Sequence, residues 1–155
     1  MAQTLYSAVT GAAVALTAAT AKSVLSVTSG AQFGVDLKKI RIGFDGVTST
    51  DKAVLVDVCY STFATAGTTT AGTVNQIAGR TIATTGMSTA YNYTVEPTVL
   101  TIIDQFLLSP YNGTAIYDIP LGDTYDTAVS QGFVIRCTAP TSAVNCRATM
   151  IFGRT

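Results

Sequence analysis

Three carboxylates, Asp118, Asp123 and Asp126, fall within nine residues around a Pro-Leu-Gly turn. Carboxylate oxygens at that density suit a hard cation such as Ca2+, but the spacing is not that of an EF-hand loop. Aspartates beside turns commonly bond local backbone, so turn and capping roles are expected here and no metal. The chain contains no histidine, which removes the commonest general base, the commonest metal ligand and every Ser-His or Cys-His nucleophile arrangement. Glu96 is its one glutamate, so a paired-carboxylate glycosidase would have to recruit aspartates from loops. A Ser or Thr nucleophile with a Lys base stays formally open, with no spacing that favours it. Gly-rich stretches are present, yet none ends in Lys-Ser or Lys-Thr or carries the GxGxxG spacing that cradles phosphate. The expectation is a protein without enzymatic activity and without a cofactor.

Tyr91 and Tyr93, two apart, are expected on one strand face, where they could stack on a sugar or equally fill a core or a subunit interface. Nine basic and nine acidic side chains cancel, so no long-range field gathers phosphates or anionic lipids, and nucleic acid is not an expected partner. The only cluster of cations, Lys38, Lys39 and Arg41, has Asp36 and Asp45 beside it and reads as a solvated strand face. Charged residues make up 12% and hydrophobic ones 48%, which leaves Thr, Ser, Ala and Gly to build most of the surface. The first twenty residues carry no positive charge and Thr or Gly interrupts their apolar stretches, so neither a signal peptide nor a membrane helix is expected. The three cysteines are an odd number, and free buried thiols are expected, although Cys137 and Cys146 could meet across a hairpin.

The elements that must position these residues are strands. Alternation of apolar and polar residues recurs along the chain, whereas the i, i+3, i+4, i+7 spacing of a solid helix is missing. At the C-terminal end Val144, Cys146, Ala148, Met150 and Phe152 share one face, with Asn145, Arg147 and Thr149 on the other. Phe133, Ile135 and Cys137 alternate just before it, and the intervening Ala139-Pro140-Thr141-Ser142 predicts a hairpin. Val54, Val56, Val58 and Tyr60 alternate against Leu55, Asp57 and Cys59, which predicts a strand buried on most of both faces. Between Val35 and Phe44 the apolar set changes phase, and a bulge near Lys38 and Lys39 restores a common inward face. Further strands are expected over 12–17, 22–28, 74–80, 91–95, 99–108 and 114–119, about nine in all, with a short helix as the alternative over 98–108. Residues 61–73 read as a long exposed loop. The whole is one antiparallel β-sandwich over residues 12–155, possible as a jelly roll, with residues 1–11 as an N-terminal arm and long Thr- and Gly-rich loops.

The runs Phe33-Gly34-Val35-Asp36-Leu37-Lys38-Lys39, Phe44-Asp45-Gly46-Val47-Thr48, Gly132 to Pro140 and Val144-Asn145-Cys146-Arg147-Ala148 resemble a family of small head decoration, or cement, proteins of tailed bacteriophages. The resemblance covers about residues 23–154. It implies a virion protein, made in the host cytoplasm, that binds the outside of the capsid as a homotrimer with the major capsid protein as its partner, and with no role for nucleic acid or membrane. The arm would then supply the shell-facing contact through Leu5 and Tyr6, and Tyr91 and Tyr93 would serve capsid or subunit contacts. A tail-tube or tail-fibre component and a carbohydrate-binding sandwich module remain the alternatives.

Overall fold

The alternation in the last strand decides where the core lies, because Val144, Cys146, Ala148, Met150 and Phe152 are all buried while Asn145 and Arg147 are exposed. The computed structural model describes residues 4–48, 51–79, 86–111, 113–120 and 123–155. The described residues form β1 (Leu5–Val9), β2 (Val14–Leu16), β3 (Ala21–Thr28), β4 (Val35–Phe44), β5 (Val54–Ser61), β6 (Thr68–Ala71) and β7 (Val74–Ala78). They continue with β8 (Ser88–Val95), β9 (Leu100–Leu108), β10 (Thr114–Asp118), β11 (Tyr125–Asp126), β12 (Gly132–Thr138) and β13 (Val144–Arg154).

All the described pairings between these strands are antiparallel, and they build two sheets packed as a β-sandwich. One sheet runs β10-β4-β13-β1-β7, with β11 also on β4 and β2 also on β13; the other runs β6-β8-β3-β12-β5-β9. Residues from both sheets, among them Leu25, Val56, Ile135, Leu37, Ile40, Met150 and Phe152, meet in one apolar core between them. The segment over 98–108, open between helix and strand from its residues, is strand β9 on the edge of the second sheet.

The bulge expected in β4 is present and falls on Lys38. On β13 Ile151 pairs with Lys39 and the next residue, Phe152, pairs with Leu37, so Lys38 is the extra residue. The extra residue restores Leu37, Ile40 and Ile42 to the core and frees the Lys38 carbonyl to accept the Ile119 N–H at 3.0 Å.

Three expectations are corrected. The hairpin between residues 133–137 and 144–152 does not form: β12 pairs with β3 and β5, whereas β13 pairs with β4, β1 and β2 in the opposite sheet. Each of these long strands has neighbours on both sides in its own sheet, and the link between them is long enough to span the ~10 Å between packed sheets. The loop over 61–73 contains β6, which pairs with β8; its threonines suit a strand as well as they suit a loop. The N-terminal arm is not free either. Residues 1–3 lie outside the described ones, but β1 is an inner strand, paired with β13 on one side and β7 on the other. Collinear with it, β2 pairs farther along β13, and Thr10 bridges the gap by exchanging hydrogen bonds with Ala148. The expected turns at Asn112 and at Leu121-Gly122 lie outside the described residues.

Candidate functional site

The outer face of the second sheet carries a row of polar side chains in cross-strand register. Ser23 of β3 lies opposite Arg136 of β12, Arg136 opposite Asp57 of β5, and Asp57 opposite Gln105 of β9. Arg136 donates from Nε and Nη2 to one Asp57 oxygen at 3.0 and 2.7 Å, and Gln105 donates to the other at 2.7 Å. Asp57 is almost fully buried, so each of its oxygens is held by a donor, as a carboxylate removed from water requires.

A strap crosses the Ser23 end of this row, in which Ser23 and Asp57 are buried, Arg136 is partly buried and Gln105 is exposed. At Asn92 the backbone takes a left-handed conformation, with φ of 53°. Strand β8 pairs with β3 only as far as Tyr91; beyond it, Val95 pairs with Thr68 of β6. The chain then crosses the sheet. Glu96 accepts the Ser23 N–H at 2.8 Å and the Ser23 hydroxyl on its other oxygen, and the Thr98 carbonyl accepts the Ser61 hydroxyl at 3.5 Å before β9 begins. Val134, Cys59 and Tyr93 are buried but stand apart from the inter-sheet apolar core, so they form a second small layer beneath the strap.

The chemistry this layer can do is limited by how its groups are engaged. Burial pushes the Cys59 thiol up to about 11, the opposite of what a nucleophilic cysteine needs. The Ser23 hydroxyl sits on a carboxylate, the pairing a general base would use, but Ser23 is fully buried and the other Glu96 oxygen is taken by its backbone N–H. Cys137 and Cys146 are free thiols that meet across the core from opposite sheets, and burial, then the contact with Cys146, raises Cys137 well above the ordinary thiol value.

A second candidate lies at the loop end beside β2 and on the adjoining outer face of the first sheet. Two hollows there, of about 260 and 240 Å3, share Asp45 and Asn145. Asn145 donates its side-chain and backbone N–H groups to the two Asp45 oxygens, each at 2.8 Å, and these bonds hold Asp45 below its usual value. Thr48, Asp51 and Ser142 line one hollow; Gly43, Thr114 and Arg147 line the other. Hydroxyls, carboxylates and one guanidinium around a shallow depression suit a polar ligand such as a sugar.

The residues singled out in the sequence are not brought together. Leu5 is half-buried on β1, whereas Tyr6 is fully buried and stacks on Phe152 with ring centroids 5.9 Å apart, so it cannot reach a partner. Tyr91 and Tyr93 do not share a face. The left-handed Asn92 breaks the alternation, leaving Tyr91 against the core and turning Tyr93 outward to share a 2.6 Å hydrogen bond with Ser26. Among the described residues no three His, Cys, Asp or Glu side chains gather as a metal site, and Asp118 is paired with Lys39 at 2.8 Å. Also among them, no helix is long and apolar enough to cross a membrane. The polar row was missed because its members are far apart in sequence. The available signal was a lone Asp57 and a lone Arg136, each inside a run of Val and Ile, since a charge in such a run requires a partner. Comparison with protein-family models, curated proteins and solved structures finds no match.

Proposed function

We propose that this chain is a structural protein of a phage virion, a decoration protein that binds the outside of an assembled head as a homotrimer and stabilises it. The reading is carried by a surface poor in charge and rich in Thr, Ser and Ala, displaying exposed apolar side chains such as Leu107 and Ile116, together with the sequence runs already quoted. Interface cores are depleted in charge, and small side chains lose little entropy when another protein covers them. Because β1 lies inside a sheet, the shell-facing contact falls to an outer sheet face or a loop end. Binding only to the assembled lattice would stabilise it by mass action, about 2.7 kcal/mol per site at a hundredfold excess over Kd, and simultaneous engagement by several copies would strengthen a weak individual contact.

The test is co-sedimentation of the purified chain with emptied phage heads, followed by heating. Saturable binding with a rise in the disruption temperature of the head is the expected result. Polymerisation of the chain alone into tubes would assign it to a tail instead. Glycan binding that is lost on substitution of Asp45 or Asn145 would assign it to carbohydrate recognition at the loop-end hollows.

A further inference from the structure

Both sheets end on the same two flanks, and the strands that end them are unusual in what they lack. On one flank β9 closes the second sheet and β10 the first; Phe106 of β9 and Tyr117 of β10 stack with centroids 5.9 Å apart, which brings these edges side by side. On the other flank the terminal strands are β6 and β7. Free edges expose unpaired backbone N–H and C=O groups, and soluble proteins ordinarily guard them with lysine, proline or an inward-pointing charge. None of these four strands contains a Lys, Arg or Pro, although the chain has nine Lys and Arg.

The β9–β10 flank is also apolar. Leu107 is 69% exposed, Ile116 61%, Ile102 43% and Ile103 41%. The two carboxylates on these strands are engaged locally: Asp104 accepts the Gln105 backbone N–H at 2.8 Å, and Asp118 pairs with Lys39. The one guard present is the bulge at Ile103, which leaves Asp104 to Leu108 in regular register with β5.

We infer that the β9–β10 flank is a self-association surface, where a second copy of this chain docks edge to edge, pairing one strand with β9 and setting another beside β10, so that Leu107 on the outer face of the second sheet and Ile116 on the outer face of the first are each covered from the side. Three observations favour a copy of this chain over another occupant. Its own opposite flank offers edges of the same kind, also without Lys, Arg or Pro and also interrupted by a bulge, with the extra residue Ile77 51% exposed on β7. The strands of that opposite flank carry no Asp or Glu, so Asp104 and Asp118 meet no like charge in a copy docked by it. The area is also sufficient. Nine residues at ~3.3 Å each make β9 ~30 Å long, and two sheets ~10 Å apart with their side chains make the flank ~20 Å tall. That gives ~600 Å2 on each copy, or ~1,200 Å2 in total, the lower bound of a stable interface. This inference gives a surface to the self-association in the proposed function, but it does not require that the chain belong to a virion.

The experiment is sedimentation velocity of the full chain over a concentration series, with hydrogen exchange of the β9 amides read in parallel. The wild type should associate reversibly, with β9 protection rising with concentration. The double variant Leu107→Lys/Ile116→Lys should weaken association about 30-fold or more, the effect of losing one interface hot spot. Val47→Lys, at an exposed loop position, should leave association unchanged, and unchanged circular dichroism of all three proteins excludes misfolding as the cause. A wild type that stays monomeric throughout, or association that survives the double substitution, overturns the inference. So does β9 protection that arises only when emptied heads are added, which would assign the flank to the shell.

Discussion

Tyr6 separates a core role from a contact role, because the two make opposite demands on the same side chain. Its ring is fully buried and stacked on Phe152, and the Arg154 guanidinium lies 5.9 Å from its centroid. Its hydroxyl is buried with no hydrogen-bond partner among the described residues. Truncation by Tyr6→Ala opens a cavity in the middle of the first sheet and should cost about 3–5 kcal/mol, the range for large aromatic deletions. Of that, about 0.5–1.5 kcal/mol belongs to the lost ring pair. Tyr6→Phe keeps the ring and removes the unsatisfied hydroxyl, so it should be neutral or stabilising by about 1 kcal/mol. For a chain of this size about 1 kcal/mol moves the Tm by about 2–4 °C, so Ala should lower it by about 6–20 °C and Phe should raise it by up to about 4 °C. Thermal denaturation followed by circular dichroism, with urea midpoints at unchanged m-value, measures both. A Tm within about 2 °C of wild type for Tyr6→Ala, or a Tyr6→Phe variant less stable by more than about 1 kcal/mol, would refute the placement of this ring in the core.

Arg136→Ala should destabilise the fold by about 3–5 kcal/mol in urea titrations by stranding the buried Asp57 charge, whereas the double replacement Asp57→Val/Arg136→Met should recover most of the loss; equal losses would disprove the pairing. Removal of residues 1–10 should abolish cooperative unfolding, since it takes β1 from between β13 and β7; a truncated chain with an unchanged melting curve would restore the free arm. The Cys59 thiol is raised from 9.0 to about 11, so an unfolded chain gives up this proton first as the pH climbs. The contribution is therefore complete below 9.0 and is lost as the pH rises towards 11, and Cys59→Ala should flatten that part of the urea-midpoint profile. A Cβ added at Gly132 would lie 1.8 Å from the Val27 carbonyl oxygen, so Gly132→Ala should cost about 2–3 kcal/mol by forcing β12 away from β3; an unchanged midpoint would contradict that approach.

Local periodicity carried much of the fold. The alternating Val144 to Phe152 set had to bury one face wherever its strand was placed, and the phase change between Leu37 and Ile40 could be reconciled with one core only by an extra residue near Lys38. The strand β5 follows from the same alternation, and β3, β7 and β10 fall within stretches expected as strands. These features depend on neighbours within a few residues, which a sequence displays directly.

What the tertiary structure decided depends on contacts between distant residues. Period-two alternation says that a strand has an inner face but not which sheet it joins, so β12 and β13 could be read as a hairpin when they lie on opposite sheets. The same blindness hid the partnership of Asp57 with Arg136, which lie 79 residues apart, and made a surface anchor of Tyr6, whose burial comes from Phe152 at the far end of the chain. One left-handed residue, Asn92, separated Tyr91 from Tyr93, because backbone handedness at a single position outweighs the two-residue repeat on either side of it. The sequence alone determined that this chain is a charge-poor β protein with one apolar core. Which of its surfaces lie open was decided by the pairing of strands remote in sequence, because an edge exists only where no other strand has taken the place beside it.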